Sequence, residues 1–187
     1  MKAFQFILSL YSIVAGLGIT TLVRGVGQII EARGRVRPYW VHSCWLLCLF
    51  AVNVGSWLSL WNVREHALWT PLEAFLLLLI PIFLYVVSYL AVPDLDESEQ
   101  LDMRAYYFTH SRWMQGMLFL SLLSGSIATR VIEDRWDMGL GDVLRIVAML
   151  VLLPGIVSDR PRLHAAQMLC LILLLVDALQ RVAIPIG

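Results

Sequence analysis

Charge is what this chain has least of. Only 15% of its 187 residues are Asp, Glu, Lys or Arg, against about 25% in a soluble globular protein. The 14 basic residues balance the 14 acidic ones, so no net field draws nucleic acid, and none is expected as a partner. Cysteine is scarce too. Cys44, Cys48 and Cys170 contain no CxxC pair and do not read as a disulfide framework. Also missing are an HExxH zinc motif, a Gly-rich phosphate loop and a Ser–His–Asp grouping, each of which would mark a common enzyme class. The sequence leans away from catalysis and implies no cofactor.

What it has in excess is apolar surface. Hydrophobic residues make up 59% of the chain, more than the roughly 45–50% of soluble proteins and more than a compact fold of this length can bury. A lipid bilayer must take the remainder. Crossing the hydrocarbon needs about 20 mostly apolar residues, and six runs qualify: Phe4–Val23, His42–Trp61, Pro71–Val92, Trp113–Thr129, Leu140–Val157 and Ala165–Ile184. The fourth and fifth are the shortest. Each must be helical, because lipid offers unpaired backbone groups no partner. The fold class is therefore all-α: a polytopic membrane protein, with residues 1–187 forming one transmembrane domain and no soluble domain. Lys2 ahead of an apolar run resembles a signal peptide, but no small-x-small cleavage site follows, so the segment reads as a retained first span. Pro81 and Pro154 fall inside spans and predict kinks.

Basic residues set orientation. The first, third and fifth loops hold Arg24, Arg33, Arg35, Arg37, Arg104, Arg112, Arg160 and Arg162, against Lys2, Arg64, Arg130, Arg135 and Arg181 on the other side. Eight against five places the odd loops in the cytoplasm and both termini outside. Trp40, Trp61, Trp69, Trp113 and Trp136, with Tyr39, Tyr106 and Tyr107, cluster near span ends as an interfacial aromatic belt.

Three of the four histidines open a span on the predicted cytoplasmic side: His42-Ser-Cys-Trp-Leu-Leu-Cys48, His110-Ser-Arg-Trp-Met-Gln-Gly116 and His164-Ala-Ala-Gln-Met-Leu-Cys170. Each follows a basic loop. This pattern suggests three antiparallel helical hairpins in a 2+2+2 internal repeat. Cys48, Gly116 and Cys170 would then be equivalent small residues at helix contacts. His66-Ala-Leu-Trp69 meets the first half of the pattern on the wrong side, so interfacial composition alone can produce that half. The three histidines read either as interfacial side chains satisfied by carbonyls or headgroups, or as a cytoplasmic ring of His42, His110 and His164 that binds metal or senses pH.

Ionisable residues within spans are costly and by default suggest function. If the last hairpin turns near Pro161, Arg145 faces Asp177 and Asp142 faces Arg181 at equal depth. Asp142 and Arg145 are three apart and Asp177 and Arg181 four apart, so each pair projects from one helix face. An interhelical Arg145–Asp177 ion pair is predicted, with Asp142–Arg181 more exposed. In the first hairpin the same reasoning puts Thr20 opposite Asn53 and Gly18 opposite Gly55. Gly16, Gly18, Gly25 and Gly27 suggest a first helix that neighbours approach closely. Past Val23, Arg24, Gln28 and Glu31 form a polar stripe, either a helix end emerging into water or, with His42, an inner vestibule. Glu73 behind Pro71 is a sound helix start. Between Pro93 and Arg112, an acidic cluster (Asp94, Asp96, Glu97, Glu99, Asp102) precedes an aromatic segment. It reads as a solvated acidic face and a short interfacial helix, because it lacks the fixed calcium-loop spacing.

Two blocks carry a resemblance. Gly16-Leu-Gly-Ile-Thr-Thr-Leu-Val-Arg-Gly-Val-Gly27, followed by Arg35-Val-Arg-Pro-Tyr-Trp-Val-His42 and Trp45, resembles a group of small, uncharacterised bacterial multi-pass inner-membrane proteins. Asp102-Met-Arg-Ala-Tyr-Tyr-Phe-Thr-His-Ser-Arg-Trp113 is similar to a second block of that group. The resemblance implies the bacterial inner membrane and transfers no catalytic residue. Three functions stay open. The first is conduction or transport of an ion or small solute, with Asp177 as binding carboxylate, Arg145, Asp142 and Arg181 around it, and Arg24, Glu31 and His42 at the inner mouth. The second is a non-catalytic scaffold or subunit, and a homo-oligomer is expected in either case. The third is metal or haem binding. It ranks last because haem needs two axial histidines on facing helices, whereas every histidine lies near a span end.

Overall fold

The computed structural model describes residues 2–66, 68–94, 100–134 and 137–182, without the side chains of Lys2, Leu179, Arg181 and Val182. Six helices account for nearly all of it: α1 (Lys2–Glu31), α2 (Trp40–Ser59, continued by a 3-10 turn over Leu60–Val63), α3 (Pro71–Ala91), α4 (Met103–Glu133), α5 (Leu140–Val157) and α6 (Pro161–Val182). All six are long and apolar enough to cross a membrane. Both α3 and α5 run on through their internal prolines, Pro81 and Pro154.

The polarity of the bundle is reversed from that of a soluble protein. Phe6, Ile13, Leu47, Phe75 and Leu173 are exposed, while His42, Asn53, Ser88, Ser111, Gln115 and His164 are buried. An apolar outer face is what a lipid solvent requires, and the polar groups then find partners inside. This inversion explains why the fourth run looked short. α4 has 31 residues and is the longest helix, but Ser111, Gln115, Ser121 and Ser124 face inward and dilute its hydropathy. The interfacial helix expected before Arg112 is instead the first turns of α4 itself. Asp102 starts it, its Oδ1 accepting from the backbone N–H of Arg104 at 2.8 Å and of Ala105 at 3.2 Å. Asp96, Glu97 and Glu99 lie outside the described residues.

Helix starts follow capping chemistry elsewhere too. At α3, Thr70 Oγ1 accepts from Glu73 N–H at 3.3 Å, and Glu73 Oε2 accepts from Thr70 N–H at 2.7 Å. That reciprocal pair satisfies two otherwise orphaned donors.

α3 lies most extensively against α4 and α1, the contacts α4–α5, α5–α6, α6–α2 and α2–α1 complete a circuit, and α2 also packs across it against α3. Sequence-adjacent pairs do touch, but the positions proposed as repeat equivalents differ. Cys48 Sγ lies 4.0 Å from Met168 Sδ at the α2–α6 contact. Gly116 has nothing within 4 Å of where a side chain would start, and Cys170 is exposed.

Two glycines of α1 do admit a neighbour. A methyl at Gly18 would meet Asn53 Oδ1 at 2.8 Å, and one at Gly25 would run into Val92. Gly16 and Gly27 have open space there. Gly18 thus sits against Asn53, not Gly55. The first connection is no tight turn: α1 continues to Glu31 and residues Val36–Arg37 are extended, so the equal-depth register shifts.

Those extended residues form a strand, β1 (Val36–Arg37), parallel to β2 (Leu101–Asp102), with Val36 opposite Leu101 and Arg37 opposite Asp102. Leu101 N–H donates to the Arg35 carbonyl at 3.1 Å. This pair marks one pole of the bundle, called here the sheet end. The 60–71 and 133–140 connections mark the distal end.

Candidate functional site

Two adjoining cavities open inside the bundle, one in its distal half and one reaching from there along α2 toward the sheet end. One, of about 250 Å³, lies among α1 to α5 and is lined by Tyr11, Ser56, Ser121, Thr129 and Glu133, with Leu77, Ile80 and Leu84 of α3. The other, of about 360 Å³, lies among α2, α4, α5 and α6 and is mostly apolar, lined by Trp45, Leu118, Leu144, Leu171 and Leu174. Val52, Ser59, Asn62, Leu122 and Arg145 border both.

Arg145 therefore sits at the junction of a polar chamber and an apolar one. Its Nη1 donates to Thr129 Oγ1 at 3.4 Å and lies 3.9 Å from Asp142 Oδ1. Asp142 is itself buried. Its Oδ2 accepts from the Gly139 N–H at 3.1 Å, and its Oδ1 is 3.5 Å from Arg130 Nη1.

This corrects the predicted charge ladder. α5 and α6 are neighbours, yet Arg145 turns to α4 and its own helix start, and among the described residues no ion pair joins it to Asp177. The reason is local. Asp142 is held at the first turn of α5 by the Gly139 amide, three residues before Arg145 and so on the same face. Pairing there orders less side chain than a reach across to α6. α6 offers the cavity Leu171, Leu174, Leu175 and Ala178, and Asp177 falls beside that stripe. Asp142 is not the more exposed partner expected, and the Arg181 side chain lies outside the described residues.

A third cavity, of about 500 Å³, opens at the sheet end among α1, α3 and α4, lined by Thr21, Arg24, Gln28, Tyr85, Tyr89, Asp94, Tyr106 and His110. Of the expected vestibule residues, Arg24 lines it. Glu31 is exposed and His42 is buried, and neither borders this space. His42 instead places Nε2 2.9 Å from the Ala91 carbonyl at the end of α3, with its ring edge-on to Tyr106 at 6.0 Å.

Between the first and third cavities lies a small polar cluster. Asn53 Nδ2 donates to the Leu49 carbonyl at 2.9 Å and to Ser88 Oγ at 3.3 Å, and Ser88 Oγ donates to the Leu84 carbonyl at 2.7 Å. Asn53 Oδ1, packed over Gly18, is buried without a hydrogen-bond partner. The sequence flagged Asn53 as a polar residue within a span, and the structure puts it at the point where the distal and sheet-end cavities approach each other.

One network went unread in the sequence. Trp45 Nε1 donates to Tyr107 Oη at 2.9 Å, Tyr107 Oη is 2.8 Å from His164 Nδ1, and His164 Nε2 is 2.6 Å from the Ser158 carbonyl. A carbonyl only accepts, so Nε2 carries the proton. Nδ1 then accepts from the tyrosine hydroxyl, and the chain runs from Trp45 to Ser158 in one direction. Gln167 Nε2 donates to Gln115 Oε1 at 2.5 Å beside it. The visible signal was the shared His-x-x-Trp/Gln spacing, which groups Trp45 and Gln167 with their histidines but says nothing of Tyr107.

The three histidines do not converge. His110 Nδ1 is 3.0 Å from the Tyr106 carbonyl of its own helix, and Tyr106 and Tyr107 stand between the rings. Among the described residues no group of three His, Cys, Asp or Glu side chains is arranged to hold a metal ion. Each of the three reaches a backbone carbonyl, His42 and His164 at a helix C-terminus and His110 on its own helix, though His42 and His164 are buried and not interfacial. Against known proteins, no family model, curated protein or solved structure matches the chain.

Proposed function

We propose that the protein carries a small polar or ionic solute across a membrane, as a channel or transporter. One observation carries this reading: cavities with polar groups in their walls lie toward both ends of the bundle, and the buried polar contacts of Gly18, Asn53 and Ser88 lie between them. Along α1 the intervening section runs from Tyr11 to Thr21, roughly 15 Å at the helical rise. An intramembrane cation, Arg145, borders the distal cavity and an exposed one, Arg24, the sheet-end cavity. Arg145 thus takes the place first given to Asp177. The proposal includes a homo-oligomer in the bacterial inner membrane with the sheet end cytoplasmic. The sequence resemblance supports the membrane, and Arg33, Arg35, Arg37, Arg160 and Arg162 support the orientation.

Purified protein in liposomes tests it against a panel of potassium, chloride, protons and small neutral solutes. At least one should cross faster than in protein-free vesicles. Gly18→Leu, which wedges a side chain against Asn53, should abolish that flux. No flux from any member of the panel, with a stoichiometric partner co-purifying, would replace transport with the scaffold reading.

A further inference from the structure

From the two cavities that meet at Arg145 we infer a binding site for a long-chain carboxylate, its chain in the apolar cavity and its head on Arg145. The inference stands apart from the permeation proposal, because binding is measured without flux.

The apolar cavity is long and narrow. On α2 its lining runs from Ser59 to Trp45, about 20 Å at the helical rise, and its volume is about 360 Å³. Such a slot accepts one extended chain, not two side by side. Its walls are the side chains an alkyl chain would choose: Leu118, Leu122, Leu144, Leu171, Leu174 and Leu175.

The head position is set by Arg145, which borders the slot and the polar chamber together. A guanidinium offers five N–H donors in a planar fork suited to a carboxylate. Arg145 commits only Nη1 in its contacts with Thr129 and Asp142, the second at 3.9 Å, beyond hydrogen-bond distance. Asp142 meanwhile divides its charge between Arg145 and Arg130. Glu133, also bordering that chamber, is exposed. Donors therefore remain for an incoming anion, with Ser59 and Asn62 beside it.

The chemistry also says which part of the ligand is selected. Bilayer lipid is as apolar as this slot, so burying the chain gives no preference over remaining in the membrane. Discrimination falls on the charged head, where charge-assisted hydrogen bonds in a partly desolvated site are strong.

Trp45 lies in the slot lining and reports occupancy. In detergent, full-length protein is titrated with palmitate brominated along its chain, which quenches nearby tryptophan. The acid should quench saturably, and Trp45→Phe should remove that component. Arg145→Gln should weaken the acid about tenfold or more, and the brominated methyl ester should bind no better than the acid does to that variant. Equal quenching by ester and acid, or an unchanged titration in Arg145→Gln, overturns the site. So does displacement of the acid at equal concentration by an anionic two-chain phospholipid, which would make the ligand a headgroup. Ala148→Phe, which fills the slot and leaves Arg145 in place, decides the matter if Arg145→Gln does not fold: undiminished binding there overturns the proposal.

Discussion

At the scale of single residues, the buried hydroxyl of Tyr107 does the most. It accepts from the Trp45 indole and donates to His164, and so joins α2, α4 and α6, which pack together without polar partners from lipid. Tyr107→Phe keeps the ring and strands the Trp45 indole N–H, while His164 Nδ1 keeps only the Gln115 amide, 3.4 Å away. Leaving a buried donor unpaired costs about 1–3 kcal/mol. Thermal unfolding in detergent should therefore show a clear loss of stability. A variant as stable as the parent would mean that water or a shifted side chain replaces the hydroxyl. None of this was legible in the chain as text. Tyr107 lies in an aromatic run beside Tyr106 and Phe108, and composition alone assigns such a run to the interface. Asn53 and Arg145 stood out, because a polar residue inside an apolar run is conspicuous whatever it touches.

At the scale of helices, close approach depends on a few glycines. Gly155 of α5 faces the Gln115 and Gln167 amides, and any side chain there would collide with both. Gly16 of α1 faces open space. Gly155→Ala should destabilise the protein by forcing that amide pair apart. Gly16→Ala should be neutral or stabilising by up to about 1 kcal/mol, because alanine is the better helix former. Comparing the two unfolding midpoints checks this, and equal shifts would contradict the packing. Helix number and most boundaries were readable, since lipid demands length and hydrophobicity and helix-start residues such as Pro71 and Glu73 announce themselves. Rotation about each axis was not. The Arg145–Asp177 pairing failed on that point: spacing along a helix gives depth, while the facing direction depends on which neighbour already holds Asp142.

At the scale of the whole molecule, six helices bury their polar groups inward, with α2 packed against α1, α3 and α6. The arginine-rich connections, with the Arg112–Asp159 ion pair at 2.7 Å, lie at the sheet end. A reporter enzyme active only outside the cytoplasm, fused after Gly187, should be active, and the same reporter inserted at Gly34 should be silent. The reverse pattern would invert the protein. Packing order could not be inferred from the chain, because every helix has apolar residues to offer any neighbour and the contact of α2 with α6 joins segments far apart in sequence.

The two-residue ribbon between β1 and β2 has a mechanical consequence. It clips the linker after α1 to the root of α4, while the His42 imidazole bolts the start of α2 to the last turn of α3. Four helices are thus tethered at one pole, and the distal pole has no ribbon of this kind among the described residues. Any breathing of the bundle should hinge at the tethered pole and splay at the other, where Arg145 waits.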